Sequence, residues 1–319
     1  MSTQAKTNAQ PISLGTQPQL AAPRSQLGRA RRRFLRHRLA VLGGVILVAL
    51  VLFVTLGTLV YSESEANYND PALKLEAPSE QFPLGSDHLG RDVLARLIYG
   101  GQISLIIGLL SVTVSVILGT LVGLLAGYYG GIIDSLLMRF VEALLSIPTL
   151  LLLLVMARYF SGSVRPVEFL GRSFSGSVVV IIFIIGITSW TSLSRIVRSN
   201  VLSLRESEFV TAARALGASN RRIIMTHILP NTVAPVIVAT TLGVAGAILQ
   251  EAYISFLGLG VQQPTATWGN MLENARSHIA DAPWLWVFPG LMIVLTVMSI
   301  NFLGDGLRDA LDPRSDNKV

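Results

Sequence analysis

Cysteine is absent from the chain, which excludes a disulfide framework and any thiolate metal site and leaves sulfur redox chemistry to seven methionines. Lysine is almost absent too, with Lys6, Lys74 and Lys318 the whole complement. The phosphate-cradling loop of P-loop ATPases needs a glycine-rich turn followed by Lys and then Ser or Thr. None of the three lysines has that context, so the chain is not its own P-loop ATPase. A serine nucleophile elbow and a His-Glu-x-x-His helix are missing as well, which removes support for an intramembrane hydrolase. His37, His88, His227 and His278 are scattered without the close ligand spacing of a metal centre. Charge is scarce: 14% of the residues are charged and 51% are hydrophobic, whereas a soluble domain carries about 25% charged residues. The solvent for most of this chain is lipid. The net charge of +6 does not form a basic face interleaved with aromatics, so it marks membrane topology rather than nucleic-acid binding.

A spanning helix needs about 20 mostly apolar residues, and uncharged runs mark where such helices lie. Residues 39–61, 103–126, 173–194 and 282–304 are each uncharged throughout. A fifth run, 231–250, ends against Glu251. A shorter one lies between Glu142 and Arg158 and must borrow residues from before Ala143 to cross. The sequence thus predicts an all-α polytopic membrane protein with six transmembrane helices. Pro148 falls in the third span, where a kink is tolerated.

Lys and Arg are retained on the cytoplasmic side. The first 38 residues hold eight Lys and Arg and no acid, residues 62–102 hold seven acids against Lys74, Arg91 and Arg96, and residues 195–230 carry six Arg. The pattern places both termini and the 195–230 connection inside and the 62–102 connection outside. Residues 1–28 lack apolar periodicity and read as a disordered tail. Residues 29–62 then form a basic anchor and the first span, 63–102 an extracytoplasmic connection, 103–304 a five-helix core containing the 195–230 loop, and 305–319 a second cytoplasmic tail. Arg31-Arg32-Arg33 superficially resembles a twin-arginine export signal, but the apolar run behind it is too long for a cleaved signal, and a retained anchor is the better reading.

The 195–230 connection reads as two short helices around a glycine. Glu206 and Glu208 suit a helix N-terminus, and Ala212, Ala213 and Ala215 are strong helix formers with almost no bulk. Gly217 can take the left-handed conformation that ends a helix, and Ser219 or Asn220 can cap the next. Such a small-residue helix lets a partner approach its backbone, with Phe209, Val210 and Leu216 as apolar anchors. Pro230 fits the first turn of the fifth span.

Thr211-Ala212-Ala213, Gly217 and Leu229-Pro230 fall at the spacings of the cytoplasmic signature loop of ABC importer permeases: Glu-Ala-Ala, three residues, Gly, nine residues, Ile, one residue, Leu-Pro. Thr211 replaces the usual Glu and His227 the usual Ile. Two further stretches resemble the dipeptide, oligopeptide and nickel branch of that family. One is Pro83-Leu84-Gly85-Ser86-Asp87-His88-Leu89-Gly90-Arg91-Asp92; the other is Glu251-Ala252-Tyr253-Ile254-Ser255-Phe256-Leu257-Gly258-Leu259-Gly260 with Trp268-Gly269-Asn270. The resemblance covers about residues 29–313 and implies a type I importer permease fold with peptide import as its function. It further implies a second homologous permease subunit, two cytoplasmic ATPase subunits that hold the ATP and Mg, and an extracytoplasmic substrate-binding protein. No cofactor is implied for this chain. Its ATPase-docking residues would be Glu208, Thr211, Ala212, Ala213, Leu216, Gly217 and Ser219.

Other readings remain open. Nickel complexes and glutathione are carried by relatives with the same resemblance. A gradient-driven secondary transporter is a separate class, against which stands the lack of ionisable residues in the four uncharged spans. A membrane scaffold is a third. The Gly85–Asp92 stretch reads equally as a turn and as a substrate gate. Glu251 is the weak candidate for the substrate path; at the edge of its span it is expected to meet water or a partner helix.

Overall fold

A computed structural model describes residues 26–169 and 172–311, and the residue 1–25 part of the expected tail lies outside them, as does 312–319. Helix α1 (Gln26–Arg36) already includes the last residues assigned to that tail, and meets α2 (Arg38–Leu56) at His37. His37 Nδ1 accepts the Ala40 amide at 3.1 Å, a cap that separates the basic helix from the apolar one. After a short helix α3 (Glu63–Asn67) come α4 (Val93–Tyr129), α5 (Gly131–Leu145) and α6 (Thr149–Phe160). A hairpin β1 (Val167–Phe169) and β2 (Arg172–Phe174) precedes α7 (Gly176–Arg205). The remaining elements are α8 (Glu208–Ala215), α9 (Asn220–Arg222), α10 (Leu229–Phe256), α11 (Trp268–Ala275) and α12 (Trp284–Leu311).

Five helices are long and apolar enough to span a membrane, and a bent pair, α5 with α6, makes a sixth. Five of the six expected spans are thus single helices with shifted ends, and the third is represented only by this bent pair. The third is broken at Ser146-Ile147-Pro148, where α5 and α6 meet at 84°. Pro148 cannot donate and restricts the residue before it, so here it starts a new helix instead of kinking a continuous one. The second span begins ten residues before the uncharged run, at Val93, capped by Asp92, whose carboxylate accepts the Leu94 amide at 2.7 Å and the Ala95 amide at 3.1 Å. Arg96 thus lies inside the helix, and the connection between the first two spans is shorter than its expected 63–102. The fourth span starts at Gly176 because Ser173 belongs to the hairpin. Helix α12 continues through Leu311, so the expected tail at 305–319 begins as helix.

Helices α4 and α7 form the closest pair, and glycine makes that approach possible. A Cβ on Gly119 would sit 2.9 Å from the Trp190 carbonyl oxygen, on Gly123 2.6 Å from that of Ser194, and on Gly127 2.7 Å from Val201 Cβ. The three lie four residues apart, on one face, the small-residue spacing that lets membrane helices touch along their backbones. Above them Ile107, Val112, Ile181 and Ile185 are buried together. Gly123→Ala is expected to lower the thermal midpoint, because the obstacle is backbone and cannot swing aside. Gly246→Ala, where an added Cβ meets nothing, is expected to leave it unchanged or raise it through helix propensity. Thermal unfolding of the two variants checks this, and equal losses would refute the packing argument.

Candidate functional site

The connection after α7 is built as an anchored platform. Val210, Ile223 and Ile228 are fully buried against Leu193, Val197 and Val201 of α7 and Tyr128 of α4. Arg205 Nη1 donates to the carbonyls of Gly127 and Tyr128, both at 3.3 Å, capping the end of α4. Tyr128 donates its hydroxyl to Asn220 Oδ1 at 2.8 Å. Val210, expected to meet a partner, instead fixes the loop to its own protein.

On this base α8 ends in a complete glycine cap. Ala218 N donates to Ala213 O and Gly217 N to Arg214 O, each at 3.0 Å, and Gly217 adopts φ +79°. Ser219 Oγ then accepts the Arg222 amide at 3.4 Å and begins the next helix, while Asn220 serves Tyr128. The outward residues are Glu208, Thr211, Ala212 and Leu216, with Leu216 89% exposed and Phe209 44% exposed. Thr211 donates its hydroxyl back to Ser207 O at 3.1 Å. Ala213 is half-buried and packs against the anchoring cluster. Of the seven residues named for docking, Ala213 faces inward, and Ser219 and Gly217 set backbone shape; the other four present side chains.

Pro230 lies in the first turn of α10, as expected, but α10 is not a fresh start. Helix runs unbroken from Asn220 to Phe256, with a π-turn at Ile223–Ile228 immediately before it. The wider turn accommodates a ring that would otherwise clash with the carbonyl four residues back. His227 lies in this turn with its ring 6.3 Å from that of Phe209, so the position that departs from the signature packs against α8.

The second group of signals converges on Glu251, which is fully buried in α10 and not exposed at a span edge. Helix α10 continues past it to Phe256 and the α11 segment covers it. Ser255 Oγ donates to Glu251 Oε1 at 2.7 Å and Ser104 Oγ of α4 to Oε2 at 3.3 Å, with Thr267 a further partner. Ser104 Oγ in turn accepts the Trp268 amide at 3.1 Å, and Trp268 Nε1 donates to Leu97 O at 3.0 Å. A Cβ on Gly269 would lie 2.8 Å from Ala252 Cα, which accounts for glycine beside Trp268. Thr267 and Asn270 cap α11 reciprocally. The two separate sequence stretches are thus one packed unit, and Ser104, which no motif marked, joins them to α4. The expected contact with a partner helix holds; the contact with water does not.

The Gly85–Asp92 stretch folds as a turn. Gly85 and Gly90 have φ +81° and +76°, and a side chain on Gly90 would collide with the Asp70 carbonyl. Asp87 Oδ1 accepts the amides of Leu89 at 2.8 Å and Arg91 at 3.0 Å. Burial holds the His88 imidazole below its ordinary range despite the neighbouring Asp87 carboxylate.

Residues 119–317 match the family model described as binding-protein-dependent transport system inner membrane component. Residues 25–78 match the N-terminal TM domain of oligopeptide transport permease C. Similar curated proteins include the dipeptide transport system permease protein DppC of Alkalihalophilus pseudofirmus, 42% identical over 89% of each chain. Another is the oligopeptide transport system permease protein OppC of Escherichia coli K12, 39% identical over 89% of this chain and 90% of that protein. Among solved structures, the MetNI methionine ABC transporter in an inward-facing conformation is 20% identical, with TM-score 0.54 over 68% of this chain and 96% of that one, a likeness of fold. With its spans, its capped loop and these matches together, the chain belongs to the inner membrane components of binding-protein-dependent transport systems, the permeases of ABC importers.

Proposed function

We propose that the chain is one permease subunit of an ATP-driven importer of di- or oligopeptides, working with a second homologous permease, two ATPase subunits and an extracytoplasmic binding protein. The observation that carries this is the 208–219 platform. Its apolar underside is consumed by the protein itself, yet Leu216 and Phe209 stand out above a helix of small residues, an arrangement suited to a partner's groove. The peptide cargo follows the named relatives. ATP and Mg belong to the partner subunits, the platform faces the cytoplasm of an inner membrane, and so do both termini. ATP binding closes the ATPase pair, moves the docked platforms and biases the permease pair between two states.

The test is uptake of a labelled dipeptide by cells lacking the chain and by cells with it restored, alongside purification of the tagged chain with its companions. Uptake that depends on the chain, recovery of ATPase subunits, and no ATP turnover by the isolated chain are the expected results. In the same cells a cysteine introduced at Ser219 is expected to resist an impermeant thiol reagent from outside. Uptake unaffected by loss of the chain would refute the cargo; labelling from outside would refute the orientation.

A further inference from the structure

Two buried arginines share one carboxylate where the 62–92 connection enters α4. Arg91 is 2% exposed and Arg96 1%. Arg91 Nε lies 2.7 Å from Asp87 Oδ2, and Arg96 Nε lies 3.8 Å from the same atom. Their other contacts are neutral: Arg91 Nη1 donates to Gln263 Oε1 at 3.1 Å, and Arg96 Nη1 to Ala66 O at 3.3 Å and Asn67 Oδ1 at 3.2 Å. The remaining oxygen of Asp87 is taken by backbone amides, and Asp92 is engaged at the α4 N-terminus. The cluster therefore holds two positive charges against one negative.

The Nη2 atoms of both arginines and Nδ1 of His88 are buried without a partner. An uncompensated buried cation is among the costliest features a fold can carry. Beside Arg96 lies a cavity of about 10 Å³, lined by Asp87, Val93, Met271, Asn274 and Leu285, room for about one water-sized particle. Of the orphaned groups Arg96 lines this cavity, and water there would give it a partner but leave the charge. We infer that this cluster binds one small monovalent inorganic anion of chloride size in a slightly widened form of that cavity, where it gives Arg96 a partner, balances the charge the two arginines share, and fastens the 62–92 connection and α11 onto α4.

The experiment is thermal unfolding of the purified full chain in lipid nanodiscs at fixed pH, in sodium chloride and in sodium gluconate of equal ionic strength. Gluconate is too large for the cavity. The midpoint is expected to be higher by roughly 3 °C in saturating chloride. In Asn274→Asp, a carboxylate of the protein's own enters the cavity wall, and the chloride increment is expected to vanish while the midpoint in gluconate rises to the wild-type chloride value. Bromide should give an anomalous peak in contact with Arg96 in crystals of the wild-type chain, a measurement that stands if the variant does not fold. Equal midpoints of the wild type in the two salts, a full chloride increment in a folded Asn274→Asp chain, or a bromide peak only elsewhere would each overturn the assignment.

Discussion

Peptide uptake is expected to fall at least tenfold in Gly217→Val with membrane insertion unchanged. Gly217 sits at φ +79° and an added Cβ there would touch nothing, so crowding is not the cause. Left-handed backbone costs an ordinary residue about 1–2 kcal/mol, and a β-branched one more. Valine would pull the chain out of that region and undo both hydrogen bonds of the cap, Ala218 to Ala213 and Gly217 to Arg214. The platform would lose its shape while the membrane helices below kept theirs. Ala212→Arg is the companion variant. Ala212 is exposed, so arginine leaves the fold intact and sets a charged side chain where a groove must close. Ala213→Arg would be a poorer test because Ala213 is packed inward. Uptake and recovery of ATPase subunits on purification report the outcome, and near-normal values in both variants would place the motor's docking surface elsewhere.

Glu251→Leu is expected to lower the thermal midpoint by roughly 5 °C and to reduce uptake, whereas Glu251→Gln is expected to do much less. Hydrogen bonds between membrane helices average about 0.6 kcal/mol, so the contacts from Ser104, Ser255 and Thr267 together are worth about 2 kcal/mol. For a chain of this size each kcal/mol moves the midpoint by about 2–4 °C. Leucine fills a similar volume but leaves Ser104 and Ser255 without their acceptor; glutamine keeps one oxygen. If Leu and Gln were equivalent by unfolding, Glu251 would be a space-filler and the hydroxyl network incidental.

The apolar runs made the number of spans legible, because insertion in lipid is decided by local composition. Their ends were not. A helix continues as long as its backbone is satisfied: Asp92 starts α4 with a local cap ahead of the uncharged run, and Arg96 is tolerated inside it through contacts with Ala66 and Asn67, far away in sequence. The 84° break at Pro148 looked like a kink because a proline's local cost is the same in both cases; what differs is whether a neighbour supports the upstream half. The spacing of Gly119, Gly123 and Gly127 was present in the sequence as a signal of close helix approach and only needed counting. In the loop, glycine and serine declared their roles because capping is local chemistry. The opposite facings of Val210 and Phe209 depend on which side α7 covers. Glu251 carried a signal as a lone acid, yet its partner Ser104, 147 residues away, is one serine among many.

The unbroken helix from Asn220 to Phe256 has mechanical consequences. At 1.5 Å per residue its 37 residues make a rod about 55 Å long, carrying the capped loop at one tip and Glu251 near the other. Tilting such a rod by only 5° about its middle displaces each tip by about 2 Å, half a side-chain width, in opposite directions. No relay of successive side-chain rearrangements is needed for a push at the loop to reach the polar cluster. Its soft sections are the π-turn at Ile223–Ile228 and the turn around Pro235, both nearer the driven end, where they can yield in pitch while the long arm beyond them carries the motion.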